Sequence, residues 1–189
     1  MAETRKAHDR RVRDGFYEAF CQGQGIDIGV GRIDTFDGED ALPIDGIHTW
    51  DKDNGDATFM DGVTDAFYDF VYASHVLEHI SNPVLALKNW WRILRPGGYL
   101  IVFVPHRDLY EKRTHLPSIW NGDHKYFLLP DQDDLPFTLG LRQLIEGALV
   151  DQPHEVLYLK TCSEGHTITD PLQHSDGEYS IEVVVRKLD

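Results

Sequence analysis

The chain has 189 residues, 41% of them hydrophobic, and a formal net charge of −14. That is enough to build one sizeable core and sits within the usual range of a single domain. Acid is concentrated in the first half, at Asp34, Asp37, Glu39, Asp40, Asp45, Asp51, Asp53, Asp56, Asp61, Asp65 and Asp69. A surface of that sign opposes the phosphates of long nucleic acid, so no nucleic-acid partner is expected.

The N-terminal stretch Met1 to Arg13 is polar and charged, and no early apolar run approaches the roughly 20 residues that cross a bilayer. We therefore expect no secretory peptide, no membrane anchor or membrane partner, and a cytoplasmic location. Cys21 and Cys162 are too few for a disulfide framework and read as two isolated thiols in a reducing compartment.

Residues 5–20 read as a helix packing on the core, with Val12, Phe16 and Phe20 on one face and Arg10, Arg11, Arg13 and Glu18 in solvent. The basic run Arg5, Lys6, Arg10, Arg11, Arg13 is read as a solvated helix face rather than a phosphate contact. This N-terminal segment, 1–24, is expected to precede a single domain over 25–189. Gly23 and Gly25 allow a turn. Ile26-Asp27-Ile28 is a strand, followed by the bend Gly29-Val30-Gly31, where missing side chains let backbone approach a ligand.

A nucleotide-binding βαβ unit places a long helix next. Here Arg32 to Asp45 contains Gly38, Pro43 and several acids without an apolar stripe, which predicts a loop with at most one helical turn. Ile44 to Trp50 is a second strand ending at Asp51, and Ala57 to Met60 is a short third. Tyr68 to Ala73 is rich in strand formers. Val76 to Ile80 begins a short helical element. Pro83 suits the first turn of the next helix, capped by Ser81 or Asn82, with Leu85, Leu87, Trp90, Trp91 and Leu94 as its apolar side. Arg95-Pro96-Gly97-Gly98 stops it, and the apolar run Tyr99 to Val104 suits the middle of a parallel sheet. A long connection follows, then a helix over 137–148. Strands over 155–160 and 179–186 complete the chain, joined by a hairpin-like connection.

Strand ends in an open parallel sheet share one rim, so Gly29-Val30-Gly31, Asp51, Asp56 and the segment Ala73 to His79 converge on one crevice. A carboxylate at one strand end can accept from two ribose hydroxyls, and another can face the exocyclic amine of adenine. A dinucleotide fingerprint wants a third glycine three positions after Gly31, where Asp34 stands. A pyrophosphate also needs a helix start, which this stretch omits. Both departures argue against a nicotinamide dinucleotide.

Gly25-Ile26-Asp27-Ile28-Gly29-Val30-Gly31 resembles the first motif of class I S-adenosylmethionine-dependent methyltransferases, and Gly55-Asp56-Ala57 resembles their adenine-side acidic motif. Tyr68 to Ile80 is similar to the segment around their fourth strand, Leu94 to Leu100 to the turn into their fifth, and His124-Lys125-Tyr126-Phe127 to the approach to a later helix. The resemblance implies an α/β, Rossmann-like, seven-stranded, mostly parallel sheet with an antiparallel last strand and a shortened first crossover. It implies S-adenosyl-L-methionine as cofactor, with Asp27, Gly29 and Gly31 around its methionine end. Asp51 would hold its ribose, with Asp45 and Asp53 as competitors. Asp56 and Ala57 would face adenine, and His75 and Val76 would lie at the fourth strand end.

The expected activity is methyl transfer to a hydroxyl of a small molecule or glycan-related acceptor. The alternative is a noncatalytic cofactor- or protein-binding domain. An in-line displacement from a sulfonium is helped chiefly by placing the acceptor. If the acceptor is a hydroxyl, His106 and Asp108 are the candidate bases after the long strand. Tyr110, His124 and Tyr126 are candidates for shaping the acceptor pocket. Glu78 and His79 are read as the helix start and site wall. His75 and His79 stand one turn apart with no third ligand nearby in sequence, so no metal site is expected.

Overall fold

The structure is a computed structural model, and it describes residues 3–30 and 42–189, with side chains from Lys6 onward. Eight strands and four α-helices are placed among these residues. The strands are β1 (Gly25–Ile28), β2 (His48–Trp50), β3 (Tyr68–Ser74), β4 (Leu94–Pro105), β5 (Phe127–Leu129), β6 (Thr138–Gly140), β7 (His154–Cys162) and β8 (Ser180–Lys187). The helices are α1 (Glu3–Arg13), α2 (Phe16–Phe20), α3 (Pro83–Ile93) and α4 (Leu141–Ala148).

The main sheet has six strands in the order β2-β1-β3-β4-β8-β7, and β5 and β6 form a separate parallel pair. The strands β2, β1, β3 and β4 run parallel, and β8 lies antiparallel to both β4 and β7. This is the expected Rossmann-like architecture with its reversed last strand, with six strands where seven were expected. The missing one is the strand predicted over 57–60, which folds as turns. Its carbonyls are claimed from the side: Ala57 O accepts Trp90 Nε1–H at 2.9 Å, Thr58 O accepts Asn89 Nδ2–H at 2.9 Å, and Arg92 reaches Met60 O at 3.1 Å. Side chains of α3 thus supply the partners a neighbouring strand would have given. The predicted second strand shrinks to three residues. The segment predicted as a loop with at most one helical turn, Arg32 to Asp45, lies mostly outside the described residues, and Gly31 lies outside them as well.

Period-two alternation sorts the strands' side chains onto two faces. Leu100, Val102 and Val104 join Ile26, Val71, Val183 and the α3 residues Leu87 and Trp90 in one core. Ile101, Phe70, Tyr72 and Val184 face the opposite way, toward Phe16. Helix α3 starts as expected, with Pro83 in its first turn and Asn82 Oδ1 accepting Leu85 N–H at 3.1 Å.

The N-terminal helix departs from its expected form. It breaks at Gly15, whose φ of 67° leaves the helical region. Val12 is exposed, whereas Arg10 and Arg11 are buried. The reason is Glu182 of β8, fully buried, which accepts from Arg11 Nε at 2.8 Å and from Arg10 Nη1 at 3.0 Å. Arg10 also pairs with Glu178 at 2.9 Å, and Arg11 donates to the Tyr72 hydroxyl at 2.8 Å. Ion pairing to a strand, rather than an apolar stripe, sets the rotation of α1. Cys21 and Cys162 are buried free thiols. No described helix is long and apolar enough to cross a membrane.

Candidate functional site

The strand order reverses between β1 and β3, and the carboxyl ends of these strands and of β2 open on one crevice. A cavity of about 870 Å³ lies there, lined on the strand-end side by Gly29, Trp50, Asp51, Lys52, Gly55, Asp56, Ala57, His75 and Val76, with His79, Ile80, Asn121 and Asp123 completing the wall.

Gly29 fixes how the loops meet. Its N–H donates to Trp50 O at 2.7 Å, tying the end of β1 to the end of β2. Its φ is +79°, and a Cβ there would lie 2.1 Å from a Val76 methyl. Glycine is therefore required both by conformation and by the close approach of the loop after β3.

The loop carrying Asp51 and Asp56 folds back on itself. Trp50 Nε1–H donates to Gly55 O at 3.1 Å, and Asp51 N–H to Asn54 Oδ1 at 2.9 Å. Asp51 Oδ1 accepts Lys52 N–H at 2.6 Å, and Asp56 Oδ1 accepts Thr58 N–H at 2.7 Å. Each carboxylate is held by a local backbone bond while its residue lines the cavity.

Of the residues expected near a cofactor, Gly29, Asp51, Asp56, Ala57, His75 and Val76 share this cavity. Asp27 is buried behind it, its Oδ2 accepting Leu42 N–H at 2.8 Å. Of the competitors for Asp51, neither Asp45 nor Asp53 lines the cavity.

The other expected residues are placed differently. His106 and Asp108 follow β4 away from the cavity lining. His106 Nδ1 accepts Asp108 N–H at 3.1 Å, and burial lowers its pKa from the usual imidazole value. Tyr110, His124 and Tyr126 are buried behind the cavity wall. The Tyr126 hydroxyl contacts both Leu77 O and Ile80 O, the latter at 2.8 Å. It clamps the turn Leu77–His79 rather than facing an open pocket. Tyr126→Phe is expected to lower stability by about 1–3 kcal/mol, because Ile80 O loses the hydroxyl donor and Leu77 O keeps only the Ile80 N–H; urea unfolding at matched m-value measures this.

A polar cluster lies beneath the wall. Lys125 N–H donates to Glu78 O at 2.8 Å, stitching the His124 segment to the Leu77–His79 turn. Glu78 is 1% exposed, and neither carboxylate oxygen has a hydrogen-bond partner. Burial, offset in part by His124, pushes its pKa up to about 7. Desolvation, then His124 and His79, takes His75 down to about 3, so this imidazole stays neutral. His124 Nδ1 lies 2.6 Å from Glu111 Oε1. His124, brought in from across the fold, lies with Glu78 and His79 in one group of potential metal ligands, which does not include His75. Asn121 and Asp123 gave no signal of a site role in sequence. Trp50 could have been read from its place immediately before the strand-end Asp51.

Comparison with known proteins gives this geometry a context. A family model described as a methyltransferase domain matches residues 38–102. A SAM-dependent methyltransferase from Thermotoga maritima is 18% identical, with 98% of each chain covered and a TM-score of 0.51. One from Archaeoglobus fulgidus is 14% identical, covering 95% of this chain and 94% of that one at a TM-score of 0.54. The [4+2]-cyclase SpnF, 14% identical, aligns over 94% of this chain and 80% of its own with a TM-score of 0.58.

Proposed function

We propose that the chain is a class I S-adenosylmethionine-dependent methyltransferase, a reading supported by the methyltransferase-domain match over residues 38–102 and by the sheet topology, and that it methylates a hydroxyl of a small molecule or glycan-related acceptor bound in the cavity at the ends of β1, β2 and β3. The observation that carries the reading is the meeting of Gly29, Asp51, Asp56 and Val76 around one crevice of about 870 Å³. That volume lies toward the upper end of the roughly 300–1,000 Å³ of small-molecule sites, which leaves room for an acceptor beside the cofactor.

The residues present suit S-adenosylmethionine. Gly29 presents backbone where a Cβ could not fit. Asp51 is proposed to accept hydrogen bonds from ribose hydroxyls, and Asp56 with Ala57 to face adenine. A lining in which Asp51, Asp56 and Asp123 outnumber Lys52, with no phosphate cradle among the described residues, suits a sulfonium better than a pyrophosphate. When bound, the cofactor supplies an activated methyl group on a positively charged sulfur.

The protein's own part is positioning. Gly29 and Val76 hold two loops at a fixed separation, His75 is anchored by its N–H to Phe103 O at 2.7 Å, and the wall of Ile80, His79 and Asn121 limits how an acceptor enters. Ordering an acceptor in line with the transferred methyl is the effect such a wall provides. The preference for a hydroxylated acceptor is supported by the polar groups along that wall, Asn121, Asp123 and His79.

Asp56→Ala is expected to weaken binding of S-adenosylhomocysteine by roughly 10- to 100-fold, the loss of one charge-assisted hydrogen bond. Calorimetry measures it, and unchanged affinity removes Asp56 from the site. The activity itself is tested by following S-adenosylhomocysteine formation against a panel of sugars, polyols and hydroxylated metabolites. Since the same fold serves a cyclase, tight binding with no turnover on any acceptor would favour the noncatalytic, cofactor-binding alternative.

A further inference from the structure

We propose that Glu78, His79 and His124 form a binding site for one divalent transition-metal ion, set in the wall of the cavity. The case rests on convergence. His79 Nε2 lies 3.9 Å from Glu78 Oε1, and His124 Nε2 lies 4.0 Å from the same oxygen. Both separations are too long for hydrogen bonds. Bonds of about 2.1 Å in a tetrahedron set ligand atoms roughly 3.4 Å apart, so closing on an ion shortens each of these two separations by about half an ångström. Ligand atoms of all three residues fall within 4.8 Å of one another.

The opposite ring nitrogens add a second line of support. His124 Nδ1 sits 2.6 Å from Glu111 Oε1, and His79 Nδ1 sits 3.5 Å from Asp123 Oδ2. A carboxylate on the far nitrogen directs an imidazole's lone pair from its near nitrogen, as in metal-bound histidines. Here the near nitrogens are the ones that lie 3.9 and 4.0 Å from Glu78 Oε1.

The state of Glu78 itself is the third support. Its side chain is 1% exposed, yet neither oxygen has a hydrogen-bond partner. A buried carboxylate without donors is costly to maintain. The surrounding groups supply little relief: His75 Nδ1 stands 3.6 Å away, and Glu111 brings a second carboxylate. A cation between Glu78 and the two imidazoles satisfies the carboxylate and accounts for the separation of all three groups. Two imidazoles and one carboxylate suit zinc, iron, cobalt or manganese more than magnesium or calcium, which take mostly oxygen.

His79 is partly exposed and lines the cavity, so the ion's open side would face it. An acceptor oxygen reaching the ion from there would be oriented and made more acidic. That last role rests on the methyltransferase reading; binding of the ion does not.

The test uses the full chain stripped with chelator and titrated with Co²⁺, followed by its visible absorption and by metal content after dialysis. One ion per chain is expected, displaced by Zn²⁺. His79→Ala, at a partly exposed position, and Glu78→Gln should each abolish saturable binding. Glu111→Gln should weaken it by roughly 10- to 100-fold while leaving the fold intact by circular dichroism. His115→Ala, at an exposed position outside the cluster, should bind as the parent does. Absence of stoichiometric binding in the parent chain, or equal affinity in His79→Ala, overturns the site. Calorimetry with S-adenosylhomocysteine on the same metal-free protein reports separately on the cofactor cavity, so failure of one reading is distinguishable from failure of the other.

Discussion

Glu182→Ala is expected to remove about 3–5 kcal/mol of stability, because it leaves buried guanidinium charge uncompensated. Arg11 is fully buried and its Nε donates to Glu182 at 2.8 Å. It also donates to the Tyr72 hydroxyl, and its Nη2 already lacks a partner. Arg10 is less dependent, since it keeps Glu178 at 2.9 Å. Domains are stabilised by only about 5–15 kcal/mol in total, so the loss is a large share. Urea unfolding with an unchanged m-value measures it.

Replacing both members of the inner pair, Arg11→Met with Glu182→Met, should recover much of that loss, because no unpaired charge is then buried. A double variant as unstable as the single one would show that the network contributes something other than charge balance. The same group sets an acid limit. Burial raises the Glu182 pKa, but Arg11 and Arg10 outweigh it and bring the value to about 2, below the ordinary 4.5. A carboxylate depressed in the folded state contributes stability that is present above its unfolded pKa and lost as pH falls through the folded one. Stability should therefore decline between about pH 4.5 and pH 2, and Glu182→Met in the double variant should flatten that window.

Gly29→Ala is expected to reduce affinity for S-adenosylhomocysteine by about 100-fold, equivalent to roughly 3 kcal/mol. Two effects combine. At φ +79° an alanine is strained, by about 1–2 kcal/mol. The added Cβ would also stand 2.1 Å from a Val76 methyl, so the loop after β3 must retreat. Val76 and its neighbour His75 both line the cavity, and their displacement changes its shape directly. Gly46→Ala is the control: its φ is +74°, and nothing lies within 4 Å of a Cβ there. It should show the strain in stability without the loss of affinity. Equal affinities for Gly29→Ala and the parent would separate this bend from the cofactor site.

Much of the sheet was legible in the sequence, for a simple reason. Tyr68 to Ala73 and Tyr99 to Val104 are apolar runs buried on both faces, and such runs have few alternatives to a central strand. The bend at Gly29 and the acids after β2 were legible because strand ends carry ligands in this architecture. The strand expected over 57–60 was not, since its carbonyls are taken by Asn89, Trp90 and Arg92. No local pattern records a competitor arriving from thirty residues away.

The sequence by itself located the strands ending at Ile28, Ala73 and Val104, the start of α3 at Pro83 and the glycine and acidic positions after strand ends, because these follow from periodicity and backbone chemistry within a few residues. Only the tertiary structure decided that Arg10 and Arg11 turn inward, that Tyr126 clamps a turn, and that His124 joins Glu78 and His79. Those outcomes depend on which charge or carbonyl lies opposite once the sheet has assembled, and buried polar groups take whichever partner removes them from an unsatisfied state.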